Sequence, residues 1–347
     1  MPTTGQITEH VFESDRHKSF YLASGPEDGP LVVFIHGWPE LSLSWRHQLP
    51  CLGALGFRVI APDMRGYGRS SVPDTHDAYS MEQISTDMIE LLDHLGRDKA
   101  VWIGHDWGSP VAWTLASHYS DRTAAVASLC IPYRLGVEGF EALAALIDRE
   151  IYPVDEYPMA QWDYMAHYQE NFAGATAEMD INPYNTIVAL FRQADPNDAD
   201  KPAMTASIRK NGGWFPGMNG APEMPIDENV ISPEEARTYG DLLAKNGFFG
   251  PNSYYMNTGA NTEYTLQAPN DGQLEMPVLF VHAAYDYIAK TLGTKLADPM
   301  RAKCANLEEA TVTSSHWMAQ EKPVELNGIL ARWLARAVPD HWPGQSE

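Results

Sequence analysis

Cysteine is scarce in this chain of 347 residues. There are three, Cys51, Cys130 and Cys304. An odd, widely spaced set excludes a disulfide framework as the main source of stability and fits a reducing compartment. Basic residues are also few: 24 Lys and Arg stand against 46 Asp and Glu, a net charge of -22. That balance disfavours phosphate backbones and anionic bilayers as partners, and no basic cluster offsets it. No Cys/His spacing matches a zinc site. No apolar run reaches the length of a membrane span. The opening "MPTTGQITEH" has neither the basic start nor the apolar stretch of a secretory signal. The expectation is a soluble, cytoplasmic protein with no nucleic-acid partner and no membrane anchor, a homodimer being left open. What the chain does have is 44% hydrophobic residues, enough for one large core or a core carrying an insertion.

The apolar residues fall in a repeating order. "SFYLASG" (Ser19–Gly25) alternates like a half-exposed strand. "LVVFIHG" (Leu31–Gly37), "FRVIAPD" (Phe57–Asp63) and "AVWIGHD" (Ala100–Asp106) are continuous apolar runs, as in strands covered on both faces. "MEQISTDMIELLDHLG" (Met81–Gly96) has helical spacing and stops at glycine. "WGSPVAWTLASHY" reads as a helix, and "AAVASLCIP" as a strand with Cys130 in its core. Strand and helix in alternation predict an α/β fold with a mostly parallel sheet flanked by helices. From Tyr133 the text becomes aromatic and rich in Pro, Gly, Asn and Met. It holds helical pieces near Glu138–Arg149, Met159–Phe172, Tyr184–Gln193 and Glu234–Asn246. The α/β text resumes with "MPVLFVHAA" (Met276–Ala284), "LEEATVTS" (Leu307–Ser314) and a last helix near Val324–Ala337. This predicts a core of residues 1–132 and 273–347 and a mainly helical lid of residues 133–272.

"GHDWG" (Gly104–Gly108) has the spacing of a nucleophile elbow: small, any, nucleophile, any, small. Such a turn lifts Asp106 above the sheet, and the following helix aims its N-terminal N–H groups at the same place. An aspartate capping an ordinary turn is the plainer reading of the stretch in isolation. A carboxylate is already ionised near neutral pH, so it attacks an electrophilic sp³ carbon unaided and becomes an ester. Water must then cleave that ester, which calls for a base. Two backbone donors are expected for the oxyanion, on Trp38 and Trp107. The base is expected after the last strand, where "SSHW" supplies His316. Its orienting acid is expected after the strand before, where "AAYDY" supplies Asp286. Asp106, Asp286, His316 is the nucleophile–acid–histidine order of α/β-hydrolases.

Together, "HGWPE" (His36–Glu40), "WRHQLP" (Trp45–Pro50), "DMRGYGRSS" (Asp63–Ser71), "GHDWG" and the terminal "HW" resemble the epoxide hydrolase family of the α/β-hydrolase fold, over nearly the whole chain. The resemblance implies opening of a small apolar epoxide to a vicinal diol with water, through an Asp106 ester and without metal or organic cofactor. It also implies two lid tyrosines that protonate the epoxide oxygen. "WDYMAHYQE" places the first at Tyr164, and "GFFGPNSYYMN" the second at Tyr255. At Ser253, Tyr254 and Met256 the chain departs from the Asn, Trp and Arg frequent in the family, which leaves Tyr254 open as the donor. His36 and Glu40 are expected to shape the oxyanion loop near the hydrolytic water, and His105 to be buried support. "GHDWG" also resembles haloalkane dehalogenases, but those usually show Asn where Trp38 stands. Fluoroacetate dehalogenases place arginines where Trp107 and Pro110 stand, and serine esterases need serine at 106. A hydrolase-like binder without turnover would show decay of a catalytic member, and none is visible.

Overall fold

The structure, a computed structural model, describes residues 5–135, 139–198 and 200–344. Eight strands form one sheet: β1 (Thr8–Glu13), β2 (Lys18–Ser24), β3 (Leu31–Ile35), β4 (Arg58–Pro62), β5 (Ala100–His105), β6 (Thr123–Leu129), β7 (Leu274–Ala283) and β8 (Cys304–Val312). Their order is β1-β2-β4-β3-β5-β6-β7-β8. β1, β2 and β4 pair antiparallel, and every other pairing is parallel. β3, β4 and β5 are buried at every residue, which explains their unbroken apolar runs. Helices Gln48–Ala54, Met81–His94, Gly108–His118 and Pro323–Ala337 cover the sheet.

β1 is not legible as a strand, because the residues it half buries are Thr8, His10 and Phe12 while Val11 faces out. No apolar period exists there. The strand is held by pairing to β2, by His10 stacked on Tyr21 at 5.0 Å and by Phe12 stacked on His94 at 4.3 Å.

Between β6 and β7 the described residues hold helices and no strand. The longest, Asp163–Asp180, is kinked at Asn171. Pro233–Asn246 starts on a capping box in which Ser232 and Glu235 bond each other's backbone N–H. The helix expected near Glu138–Arg149 runs over Phe140–Leu146, and Glu138 lies outside the described residues. This insertion is stitched to the sheet end by specific polar contacts. Trp38 Nε1 donates to Asn252 Oδ1 at 3.0 Å, Trp317 Nε1 to the Leu190 carbonyl at 3.2 Å, and the hydroxyls of Ser44 and Tyr239 pair at 2.7 Å.

A further tie runs through Arg65. Its guanidinium makes a buried two-pronged bond to Asp87, at 2.7 and 2.6 Å, and its carbonyl accepts from the Tyr254 hydroxyl at 2.9 Å. Burial pushes the Asp87 carboxyl up against the pull of Arg65. Removing one partner strands a buried charge, whereas replacing both with apolar groups removes the problem. Asp87→Ala is therefore expected to lower unfolding free energy by ~3–5 kcal/mol, and the pair Arg65→Met with Asp87→Leu to recover most of it. Urea denaturation measures both, and a loss below ~1 kcal/mol for Asp87→Ala would contradict this account.

Candidate active site

Asp106 follows β5 and precedes the helix that starts at Gly108, with φ at 48° in the left-handed region. The flanking glycines are needed for space. A Cβ on Gly104 would lie 2.2 Å from the Gly108 carbonyl oxygen, and one on Gly108 would lie 2.0 Å from that of Ile35. The chain is thus pressed against the end of β3, and this puts the Trp38 backbone N–H 2.6 Å from Asp106 Oδ1. The Trp107 N–H bonds the same carboxylate. Burial raises the Asp106 pKa, opposed by His316, His105 and these two amides.

His316 and Asp286 converge on Asp106 from the loops after β8 and β7. His316 Nδ1 is 2.8 Å from Asp286 Oδ2, and its Nε2 is 3.7 Å from Asp106 Oδ2. Asp286 Oδ1 accepts from the backbone N–H of Ile288 at 2.9 Å and Ala289 at 3.2 Å. Burial would raise the Asp286 pKa, but the charge and hydrogen bond of His316 and the two amides hold it low. Burial acts to lower His316, yet Asp286, with help from Asp106 and Glu40, raises it to about 9.

The remaining expected residues lie beneath this layer. Buried Glu40 accepts from Gly37 N–H at 2.8 Å, His105 Nδ1 at 2.8 Å and Gln320 Nε2 at 3.0 Å. Burial would raise its pKa, but His105 brings it down to about 2. His105 Nε2 reaches the His316 carbonyl at 2.8 Å, so it braces the backbone of the histidine above it. His36 is fully engaged: Met64 N–H donates to its Nε2 at 2.9 Å, leaving Nδ1 for the Gly37 carbonyl at 2.9 Å. It shapes the loop that carries Trp38. Among the described residues, His105, Cys130 and His316 are close enough to share a metal ion, but the imidazole nitrogens of His105 are taken up by Glu40 and the His316 carbonyl, and His316 Nδ1 by Asp286.

A cavity of about 550 Å³ adjoins Asp106, with His316, Trp38, Tyr164 and Tyr255 in its wall. Tyr164 and Tyr255 meet edge to face at 5.5 Å, and Tyr255 stacks on Tyr168 at 4.7 Å. Burial, then the charge of Asp106, raises the Tyr164 pKa. Burial, Tyr164 and Asp106 do the same for Tyr255, so both phenols keep their protons. Tyr254 differs from its neighbour. Its hydroxyl is spent on the Arg65 carbonyl and its ring packs on Tyr67 and Tyr79, outside the cavity wall.

Residues 30–194 match the family model described as alpha/beta hydrolase fold. The chain is 30% identical over 333 residues to epoxide hydrolase A of Mycobacterium tuberculosis, covering 95% of this chain and 98% of that one. The chain belongs to the epoxide hydrolase family. It is 34% identical to bifunctional epoxide hydrolase 2 of Sus scrofa over 88% of its own length, but spans 51% of that relative. Epoxide hydrolase A from Mycobacterium thermoresistibile has a solved structure that superposes with a TM-score of 0.77 at 31% identity, covering 95% of this chain and 99% of that one. For an epoxide hydrolase from Vigna radiata the TM-score is 0.78 at 27% identity, with 97% and 100% covered. No helix among the described residues is long and apolar enough to cross a membrane.

Within this family member, two supports had no sequence signal. Gln320 holds Glu40 across 280 residues of chain, and Asn252 takes the Trp38 indole across 214. The raised pKa of His316 has a measurable consequence. The folded state binds its proton more tightly than the unfolded chain, where imidazole titrates at about 6.5. This stabilisation is fully present below pH ~6.5 and is lost as pH rises through about 9. The stability lost in His316→Gln should therefore be largest near pH 6 and shrink by pH 9.5. A difference in urea midpoint that does not change over that range would contradict the raised value.

Proposed function

We propose that the protein hydrolyses a small apolar epoxide to a vicinal diol through an Asp106 ester, with residues 133–272 as a cap over the site. Asp106 attacks an epoxide carbon. The carbon–oxygen bond breaks, and the oxygen takes a proton from Tyr164 or Tyr255. His316 then removes a proton from water, and the hydroxide adds to the ester carbonyl. The Trp38 and Trp107 amides stabilise the oxyanion, and its collapse releases the diol and restores the Asp106 carboxylate. The proton His316 sheds once the ester forms replaces, through solvent, the one the tyrosine gave, and the proton it takes from water restores its resting charge.

The observation that carries this reading is the shared cavity wall: two phenols held protonated by burial, a carboxylate and a histidine all border one space. Ester formation also cancels the Asp106 charge, one of the causes that hold His316 at about 9. The imidazole then gives up its proton more readily and is ready as a base when it is needed. A halide-releasing reading is weaker. The Trp38 indole N–H is occupied by Asn252, and the Trp107 side chain is a hydrogen-bond partner of Tyr255. The three cysteines are unpaired, in keeping with the cytoplasmic setting we propose.

Positioned acids of this kind contribute ~10²–10⁴-fold. Tyr164→Phe and Tyr255→Phe should each slow ester formation about tenfold or more, and the double change should lose most of that factor. Tyr254→Phe should stay within a few-fold of the unaltered protein. His316→Gln should form the ester and stall, giving an intact mass raised by that of the substrate. Stopped-flow and mass spectrometry read these outcomes. A crippled Tyr254→Phe beside an unaffected Tyr255→Phe would move the donor role, and an unmodified His316→Gln protein that consumes no epoxide would remove His316 from the base role.

A further inference from the structure

Two spaces meet at Asp106. Besides the cavity of about 550 Å³ there is a second of about 40 Å³, and the two share Asp106, Tyr164 and Tyr255 and no other wall residue. The larger is bounded by apolar side chains such as Leu190, Met204, Trp214, Phe215, Ile288 and Trp317. The smaller is closed by Trp107, Pro110, Ile131, Leu135, Trp162 and Met165, all buried.

An epoxide held with its oxygen at the two tyrosines and one carbon at Asp106 has only its carbon substituents left to place. They must enter these two spaces. A cavity of ~150 Å³ accepts benzene, and one of ~10–15 Å³ holds a single water. The large space exceeds the first figure more than threefold, while the small one is about a quarter of it. We propose that the small arm, closed by Leu135, Trp162 and Met165, restricts this site to epoxides with one extended apolar substituent and only hydrogen or methyl on the other carbon. The inference rests on the reading of Asp106 as the nucleophile that opens an epoxide. Its wall side chains are buried, so a longer chain enters only by displacing them.

Three isomers of one formula test this: 1,2-epoxyoctane, cis-2,3-epoxyoctane and cis-4,5-epoxyoctane. The first two ask the small arm to hold hydrogen or methyl, and the third asks it to hold propyl. The expected kcat/KM for the third is at least ~30-fold below that of the first, the order that overpacking a filled site costs. The ratio should move toward one in Leu135→Ala and in Met165→Ala, which empty that arm, with each variant read as its own ratio between isomers. Leu135→Trp should instead lower the rate on the methyl-bearing isomer relative to 1,2-epoxyoctane. Turnover of all three isomers within about threefold would overturn the inference and leave the epoxide reading standing. So would a ratio that neither alanine variant changes. Absence of turnover and of an Asp106 adduct with any isomer would overturn the epoxide reading itself, and this inference with it.

Discussion

The 2.6 Å bond from the Trp38 amide to Asp106 joins the loop after β3 to the turn after β5, and the geometry of the site follows from it. The bond forms because β3 and β5 are adjacent, parallel and in register from Val32 with Val101 to Ile35 with Gly104. It needs the turn to touch the end of β3, which is why there is no room for a Cβ at Gly108, while at Gly104 a Cβ would meet the turn's own Gly108 carbonyl. It also places a backbone donor on Asp106 Oδ1, where the proposed ester cleavage would develop charge. A left-handed aspartate is costly by itself, of order 1–3 kcal/mol. The surrounding packing over-determines it, and the strain exposes the carboxylate at the sheet end.

Charge in the site is arranged in two tiers. The upper tier is Asp106, His316 and Asp286, in which two carboxylates keep one imidazole protonated at rest. The lower tier is Glu40 with His105, fixed by Gly37 and Gln320 and touching the upper tier through the His316 carbonyl. Buried charge is tolerable when it is paired and hydrogen-bonded, and Asp106, Asp286, Glu40 and His316 are. The consequence is a held imidazole whose proton affinity depends on the charges of Asp286, Asp106 and Glu40.

Much of this arrangement was legible in the chain, and for definite reasons. The parallel strands announced themselves because strands buried on both faces are continuous apolar runs. Asp106, Asp286 and His316 were legible because the fold puts each at the end of a recognisable strand. β1 was not, since its inward residues include Thr8 and His10. Which of Tyr254 and Tyr255 borders the cavity was not legible either. Adjacent residues in a short helical turn point in different directions, and only the partner, Arg65 for one and the cavity for the other, separates them. The volumes on either side of Asp106 depend on packing between segments far apart in sequence, and no local pattern encodes them.

The central claim is that Asp106 attacks carbon rather than serving as a base toward water, and the oxygen isotope of a single turnover tests it most directly. With enzyme in excess over epoxide, in water enriched in oxygen-18, the nucleophilic route delivers a carboxylate oxygen to the first diol. The diol is then unlabelled, and the peptide that spans Asp106 gains the heavy atom. A labelled first diol beside an unlabelled peptide would show water attacking the epoxide directly, and would contradict the covalent account.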